Sequence, residues 1–118
     1  MSRRLERLNV QVRRELAALF LRQLKDPRLA GLITFTHVDI APDLQTAKVY
    51  VSVLGSQEEK ASTIEALTAA STYLRRELGE RLIIRRVPRL TFILDESMEE
   101  AARLLDLIDR VAGDHSGD

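Results

Sequence analysis

Cysteine is absent from the 118 residues, which excludes disulfides, thiolate nucleophiles and cysteine-ligated metals. Tryptophan is absent too, and the aromatic residues are only Phe20, Phe35, Phe92, Tyr50 and Tyr73. The three Phe read as core, so stacking platforms for single-stranded bases are disfavoured. His37 and His115 are the only histidines, too few for a histidine metal cluster. His37 falls in a strand and reads as structural, and His115 falls in the tail. The five glycines are isolated, so no P-loop, dinucleotide turn or nucleophile elbow is present. No apolar run approaches the ~18 residues of a membrane span, and no apolar stretch of a secretory signal follows the basic N-terminus. A cytoplasmic location is expected. Asp39, Asp43, Asp95 and Glu96 lie near strand ends with no nucleophile or second base beside them, so they read as turn and cap residues. No enzyme activity, metal, cofactor, small-molecule substrate or membrane contact is expected.

What is present is charge, balanced in number and segregated in place. The 18 Lys and Arg match the 18 Asp and Glu. Residues 1–28 hold eight basic side chains against three acidic ones, a net of +5. Residues 73–89 hold six Arg against two Glu, a net of +4. Residues 95–118 hold two Arg against eight carboxylates, a net of −6. Such segregation fits a basic surface facing a polyanion, with an acidic end turned away from it.

Hydrophobic periodicity supplies the elements. Leu5, Leu8, Val12, Leu16 and Leu19 recur at helical spacing, predicting an amphipathic helix from about residue 3 to 25, stopped at Asp26-Pro27. Leu32 to Ile40 is rich in β-branched residues and reads as a strand, with imperfect alternation. Ala41-Pro42-Asp43 is turn chemistry, and Ala47, Val49, Val51 and Val53 alternate with polar neighbours in a second strand. Ser56 with Glu59 matches a capping box, and Ile64, Leu67, Ser71, Leu74 and Leu78 carry a helical period to a stop at Gly79. Residues 82–94 read as a third strand, with Pro88 marking an edge or bulge. Ser97 with Glu100 matches a second capping box, opening a last helix through Leu104, Leu105, Ile108 and Val111. Residues 113–118 read as a disordered polar tail. The order is α-β-β-α(α)-β-α, a small α+β domain with a three-stranded sheet and helices packed mostly on one face.

Arginine dominates the basic segments, and its planar fork suits phosphate. The scarcity of stacking aromatics favours backbone or shape recognition of structured RNA or DNA, and the candidate nucleic-acid contacts, on RNA if the resemblance below holds, are Arg3, Arg4, Arg7, Arg14, Arg22, Lys25, Arg28, Lys48, Arg75, Arg76, Arg81, Arg85, Arg86 and Arg89. The alternative is a protein–protein adaptor whose basic helical face binds an acidic partner; an unrecognised hydrolase ranks below both. A monomer is expected.

Four segments carry a family resemblance over most of the chain. They are Lys25-Asp26-Pro27-Arg28-Leu29, Val38-Asp39-Ile40-Ala41-Pro42-Asp43-Leu44, Ala47-Lys48-Val49-Tyr50-Val51-Ser52-Val53-Leu54-Gly55 and Arg85-Arg86-Val87-Pro88-Arg89-Leu90-Thr91-Phe92. In this order they resemble the ribosome-binding factor A family of bacterial 30S assembly factors. The resemblance implies a type-II KH-like domain over residues 1–112, without the GxxG loop of ordinary KH domains. It also implies binding to the free 30S subunit and its 16S rRNA, late rRNA maturation including 5′-end processing, and growth in the cold. In the family an Ala-x-Gly interruption separates the central helices; here the matching residues are Ala70, Ser71 and Thr72. A kink is predicted there, helped by Ser71 and Thr72 bonding to backbone carbonyls. One straight helix remains the alternative, because the apolar period runs through unbroken.

Overall fold

The computed structural model describes residues 3–23 and 32–116. The chain runs α1 (Arg3–Gln23), β1 (Ile33–Ile40), β2 (Thr46–Val53), α2 (Gln57–Ala69), α3 (Ser71–Arg81), β3 (Arg89–Leu94) and α4 (Ser97–Ser116). The predicted helix stop at Asp26-Pro27 lies outside the described residues.

The three strands form one sheet in the order β1-β2-β3. β1 and β2 are antiparallel and joined by a short turn. β2 and β3 are parallel, and parallel neighbours need a long crossover, which α2 and α3 supply. On β2, Ala47, Val49, Val51 and Val53 are buried, as the alternation predicts. On β1 the alternation fails for a structural reason. A bulge shifts the register between Phe35 and His37, so Phe35 and Val38 both reach the buried face although three residues apart. Thr36 is the extra residue.

α1 lies against β1 and α3, while α2 and α3 lie against β3. The core gathers Val12, Leu16 and Leu19 of α1, the inward residues of the strands, and Leu67, Leu74 and Leu78 of the crossover helices. Phe20 meets Phe35 edge to face at 5.6 Å. The other face of the sheet carries Thr34, His37, Asp39, Lys48, Arg89 and Thr91, all exposed.

The crossover helix is broken, at Ala70. That residue sits at φ −87°, ψ 0°, and its N–H is shared between the carbonyls of Ala66 at 3.0 Å and Leu67 at 3.1 Å. The hydroxyl that bonds back is neither Ser71 nor Thr72. It is Thr68, whose Oγ1 donates to the Ile64 carbonyl at 2.8 Å. Leu44 is the only described non-glycine residue with positive φ. Thr72 therefore needs no left-handed backbone, and a residue with a Cβ is compatible with the break.

Four boundaries differ from expectation. β3 starts at Arg89 and not near residue 82, because β2 begins at Thr46, the partner of Arg89, and earlier residues have no strand to pair with. α3 continues past Gly79 to Arg81; Gly79 has no left-handed backbone, and a Cβ there would make only an ordinary 3.4 Å contact with Val87 Cγ2, so the glycine does not end the helix. The Ser56–Glu59 capping box forms, but the Ser97–Glu100 box does not. Instead Asp95 Oδ1 accepts from the Ser97 N–H at 3.0 Å, and the Glu100 N–H bonds to the Glu96 carbonyl. Finally, α4 runs through Gly113 to Ser116, where a disordered tail is expected.

Candidate nucleic-acid interface

The β1–β2 turn shapes one end of the molecule. Leu44 takes φ 62°, its N–H bonded to the Ala41 carbonyl at 2.8 Å, and Asp43 Oδ1 accepts from the Gln45 N–H at 3.1 Å. The strained turn leaves the Leu44 side chain exposed. The Gln45 carbonyl then accepts from the Arg89 N–H at 2.9 Å, tying the start of β3 to the turn. Asn9 Oδ1 accepts from the Ile40 N–H at 2.9 Å, fixing the first half of α1 over the end of β1.

These ties leave a groove of about 1040 Å³ at that end. The first turns of α1, the β1–β2 turn and the loop between α3 and β3 enclose it. Leu5, Leu8, Leu44, Ile83, Ile84 and Pro88 give it apolar surface, and the cations Arg4, Arg7, Arg85 and Arg86 outnumber the carboxylates of Glu6, Asp39 and Asp43. All four arginines are exposed, and Ile83 is fully exposed. Two basic segments far apart in sequence thus converge on one concave surface. Arginine forks beside a concave wall can bind phosphate groups and concentrate a polyanion there.

The structure divides the remaining candidates. Arg75 is half-buried; its Nη2 donates to the Val87 carbonyl at 3.0 Å, and its Nε is buried without a partner. It clamps the α3–β3 loop onto α3. Arg81 donates to Glu77 Oε2 at 2.7 Å and to the Glu77 carbonyl at 3.2 Å, and lies 3.7 Å from Glu15 on α1. The Glu77 hydrogen bond holds its pKa above the ordinary value. Both side chains are engaged within the fold rather than presented beside Arg85 and Arg86. Arg76 is exposed on α3, Arg3, Arg14 and Arg22 are exposed on α1, and Lys48 and Arg89 stand on the helix-free face of the sheet. Lys48 is paired in register with Asp39 of β1. Lys25 and Arg28 lie outside the described residues.

Two polar sites escaped sequence reasoning because their members are far apart in the chain. Lys60 is buried at 3% exposure, with Nζ 2.8 Å from Glu99 and 3.4 Å from Glu96. The Glu99 hydrogen bond, ahead of the opposing desolvation, raises its pKa. At the bulge, Thr36 Oγ1 donates to Asp95 Oδ2 at 2.6 Å. Bonds from Ser97 first and Thr36 second hold the Asp95 carboxyl below its usual range. His37 stays on the open face, its ring 5.7 Å from that of Tyr50. Among the described residues, no group of three or more His, Cys, Asp or Glu is placed to hold a metal, and no helix is long and apolar enough to cross a membrane.

Comparison with known proteins places this geometry. Residues 4–108 match the family model described as ribosome-binding factor A. A ribosome-binding factor A from Acetivibrio thermocellus is 43% identical over 114 residues, covering 97% of this chain and 93% of the relative. The crystal structure of ribosome-binding factor A from Thermus thermophilus superposes with a TM-score of 0.63 at 33% identity, over 76% of this chain and 94% of that one. A Thermus thermophilus ribosome-binding factor A homology model, fitted into a cryo-EM map of a 30S complex, gives 0.60 at 33% identity, over 75% and 91%.

Proposed function

The chain belongs to the ribosome-binding factor A family, and on that premise we propose that it binds the free 30S subunit through 16S rRNA and promotes late rRNA maturation, including at the 5′ end. The KH-like fold and the family are the ground. The observation that carries the RNA contact is the convergence of Arg4, Arg7, Arg85 and Arg86 on one groove. The reading is that of a binding factor in the cytoplasm, not an enzyme.

Sucrose-gradient fractionation of a lysate tests the main claim. The chain is expected with free 30S particles; exclusive migration with 70S ribosomes or at the top of the gradient would overturn it. Salt sharpens the test. If the four groove arginines each neutralise one phosphate, log affinity should fall against log salt with a slope of about −3 to −4. A flat response would remove the phosphate reading. Reversing Arg85 and Arg86 to Glu should weaken 30S binding at least about tenfold, while leaving stability within about 0.5 kcal/mol because both are exposed.

A further inference from the structure

The groove sets charges of both signs on the same walls. Arg4, Arg7, Arg85 and Arg86 suit phosphate, yet Glu6, Asp39 and Asp43 stand among them. Carboxylates weaken the attraction of a polyanion, so each of the three needs a physical reason to be there. Two have a local one. Glu6 sits in the first turn of α1, where a carboxylate favours the helix N-terminus. Asp39 is paired in register with Lys48 across β1 and β2. Asp43 differs. Its Oδ1 accepts from the Gln45 N–H at 3.1 Å, and its Oδ2 has no partner among the described residues. The Gln45 carbonyl accepts from the Arg89 N–H, so the turn holds the carboxylate in place while leaving it exposed.

Beside Asp43 stands apolar surface that phosphate cannot use. Leu44 is 45% exposed and Ile83 is fully exposed. Among the described residues, no aromatic ring lines the groove. The lining therefore asks three things of one ligand: anionic oxygens for the arginines, a flat apolar face for Leu44 and Ile83, and N–H donors for Asp43. A duplex supplies only the first, because stacking and pairing occupy its base faces and Watson–Crick edges. An unpaired nucleotide supplies all three.

The four bases are not equal before a carboxylate. Guanine carries two adjacent donors, N1–H and the N2 amino group, which meet both carboxylate oxygens at once. Oδ1 has a second lone pair to offer beside the one used by Gln45. Adenine and cytosine carry one amino group beside an unprotonated ring nitrogen, whose lone pair faces the second oxygen and repels it. Uracil has a single N3–H flanked by two carbonyls. We propose that the groove takes an unpaired guanine of single-stranded RNA, with its Watson–Crick edge on Asp43, its ring against Leu44 and Ile83, and its flanking phosphates on the arginines. The proposal rests on the rRNA reading of the same groove and adds to it the state of the strand and the identity of the base. The carboxylate gives up some affinity for phosphate in exchange for selectivity among bases.

Fluorescence anisotropy of the full chain with short labelled RNA strands tests this. The strands are oligouridylates that differ at one central position, which carries guanine, hypoxanthine, adenine or uracil. The guanine strand should bind about tenfold or more tighter than the adenine or uracil strand. Hypoxanthine keeps N1–H and lacks the amino group, so its strand should fall between. Asp43→Asn keeps an oxygen for the Gln45 N–H and so preserves the turn. In that variant the guanine preference should shrink to within about threefold, while affinity for the uracil strand holds or rises because a negative charge has left the groove. A merely structural defect would weaken every strand alike. Arg85→Glu with Arg86→Glu should weaken all four strands and leave their order unchanged. Equal binding of the four strands overturns the proposal, as does binding of none, or a guanine preference that survives Asp43→Asn. Cosedimentation with 30S particles in parallel keeps the two readings apart. Equal or absent strand binding with 30S binding intact strikes the guanine site alone, and a guanine preference without 30S binding strikes the 30S reading alone.

Discussion

α1 and α4 are written in the same code and end in opposite circumstances. Both are about 20 residues long, and both carry Leu, Ile or Val every three or four positions. On α1 the stripe disappears into the core, with Val12, Leu16 and Leu19 at 1% exposure or less. On α4 the equivalent Leu104, Leu105 and Ile108 are exposed by 53% or more. Amphipathicity states that a face needs cover and says nothing about what covers it. The sheet has one buried face, and α1, α2 and α3 occupy it, which leaves α4 outside.

The largest test of that contrast is a pair of matched truncations. Leu16→Ala should destabilise the protein by about 3 kcal/mol in urea unfolding, through lost burial and the cavity left behind. Leu104→Ala in dilute protein should change stability by no more than about 0.5 kcal/mol. Equal effects would show that α4 is packed in solution. Hydrogen exchange extends the comparison residue by residue. Amides in the middle of α1 should exchange only through global opening, and those of Leu104 to Val111 through local fraying, with protection lower by about 100-fold.

A smaller effect concerns the root of α4. Asp95→Ala should cost about 1 kcal/mol, since the carboxylate caps the helix and accepts the Thr36 hydroxyl. The pH dependence follows from the directions of the two shifted groups. Asp95 titrates below 3.8 in the fold, so its contribution is full above that value and is lost as pH falls through the folded value. Lys60 titrates above 10.5, so its contribution is full below that value and is lost as pH rises through the folded one. Stability should be level between these limits. In Asp95→Ala the acid limb should be shallower and the alkaline limb unchanged. An unaltered acid limb would mean that other carboxylates set it. Smallest of all, Leu44→Gly should stabilise the protein by about 0.5 kcal/mol, by relieving the left-handed backbone against the added chain entropy of glycine.

The elements that were legible in the sequence are those governed by near neighbours. The alternation of β2, the stripe of α1 and the Ser56–Glu59 box each need only a few residues to declare themselves. β1 hid its pattern because the bulge at Thr36 resets the alternation, and a bulge depends on the partner strand. β3 was read too long because Ile83, Ile84 and Val87 have strand chemistry, while the limit is set by where β2 begins. The candidate site divides in the same way. Summed charge marked both basic segments, but not which arginines point outward. Arg75 and Arg81 differ from Arg85 and Arg86 only in having Val87, Glu77 and Glu15 within reach. The buried Lys60 was invisible because its carboxylate partners lie 36 and 39 residues away.

The bond from Thr36 to Asp95 has a kinetic meaning. It joins residues 59 apart, from one outer strand of the sheet to the end of the other. The β1–β2 hairpin can close early because its loop is short, whereas β3 joins only after the whole crossover is in place. The Thr36–Asp95 bond is therefore expected to form in the last step, after the folding barrier. Thr36→Val should accordingly leave the folding rate nearly unchanged and show its whole effect as faster unfolding. The bond acts as a latch on the finished sheet, setting how long the native state lasts rather than how soon it forms.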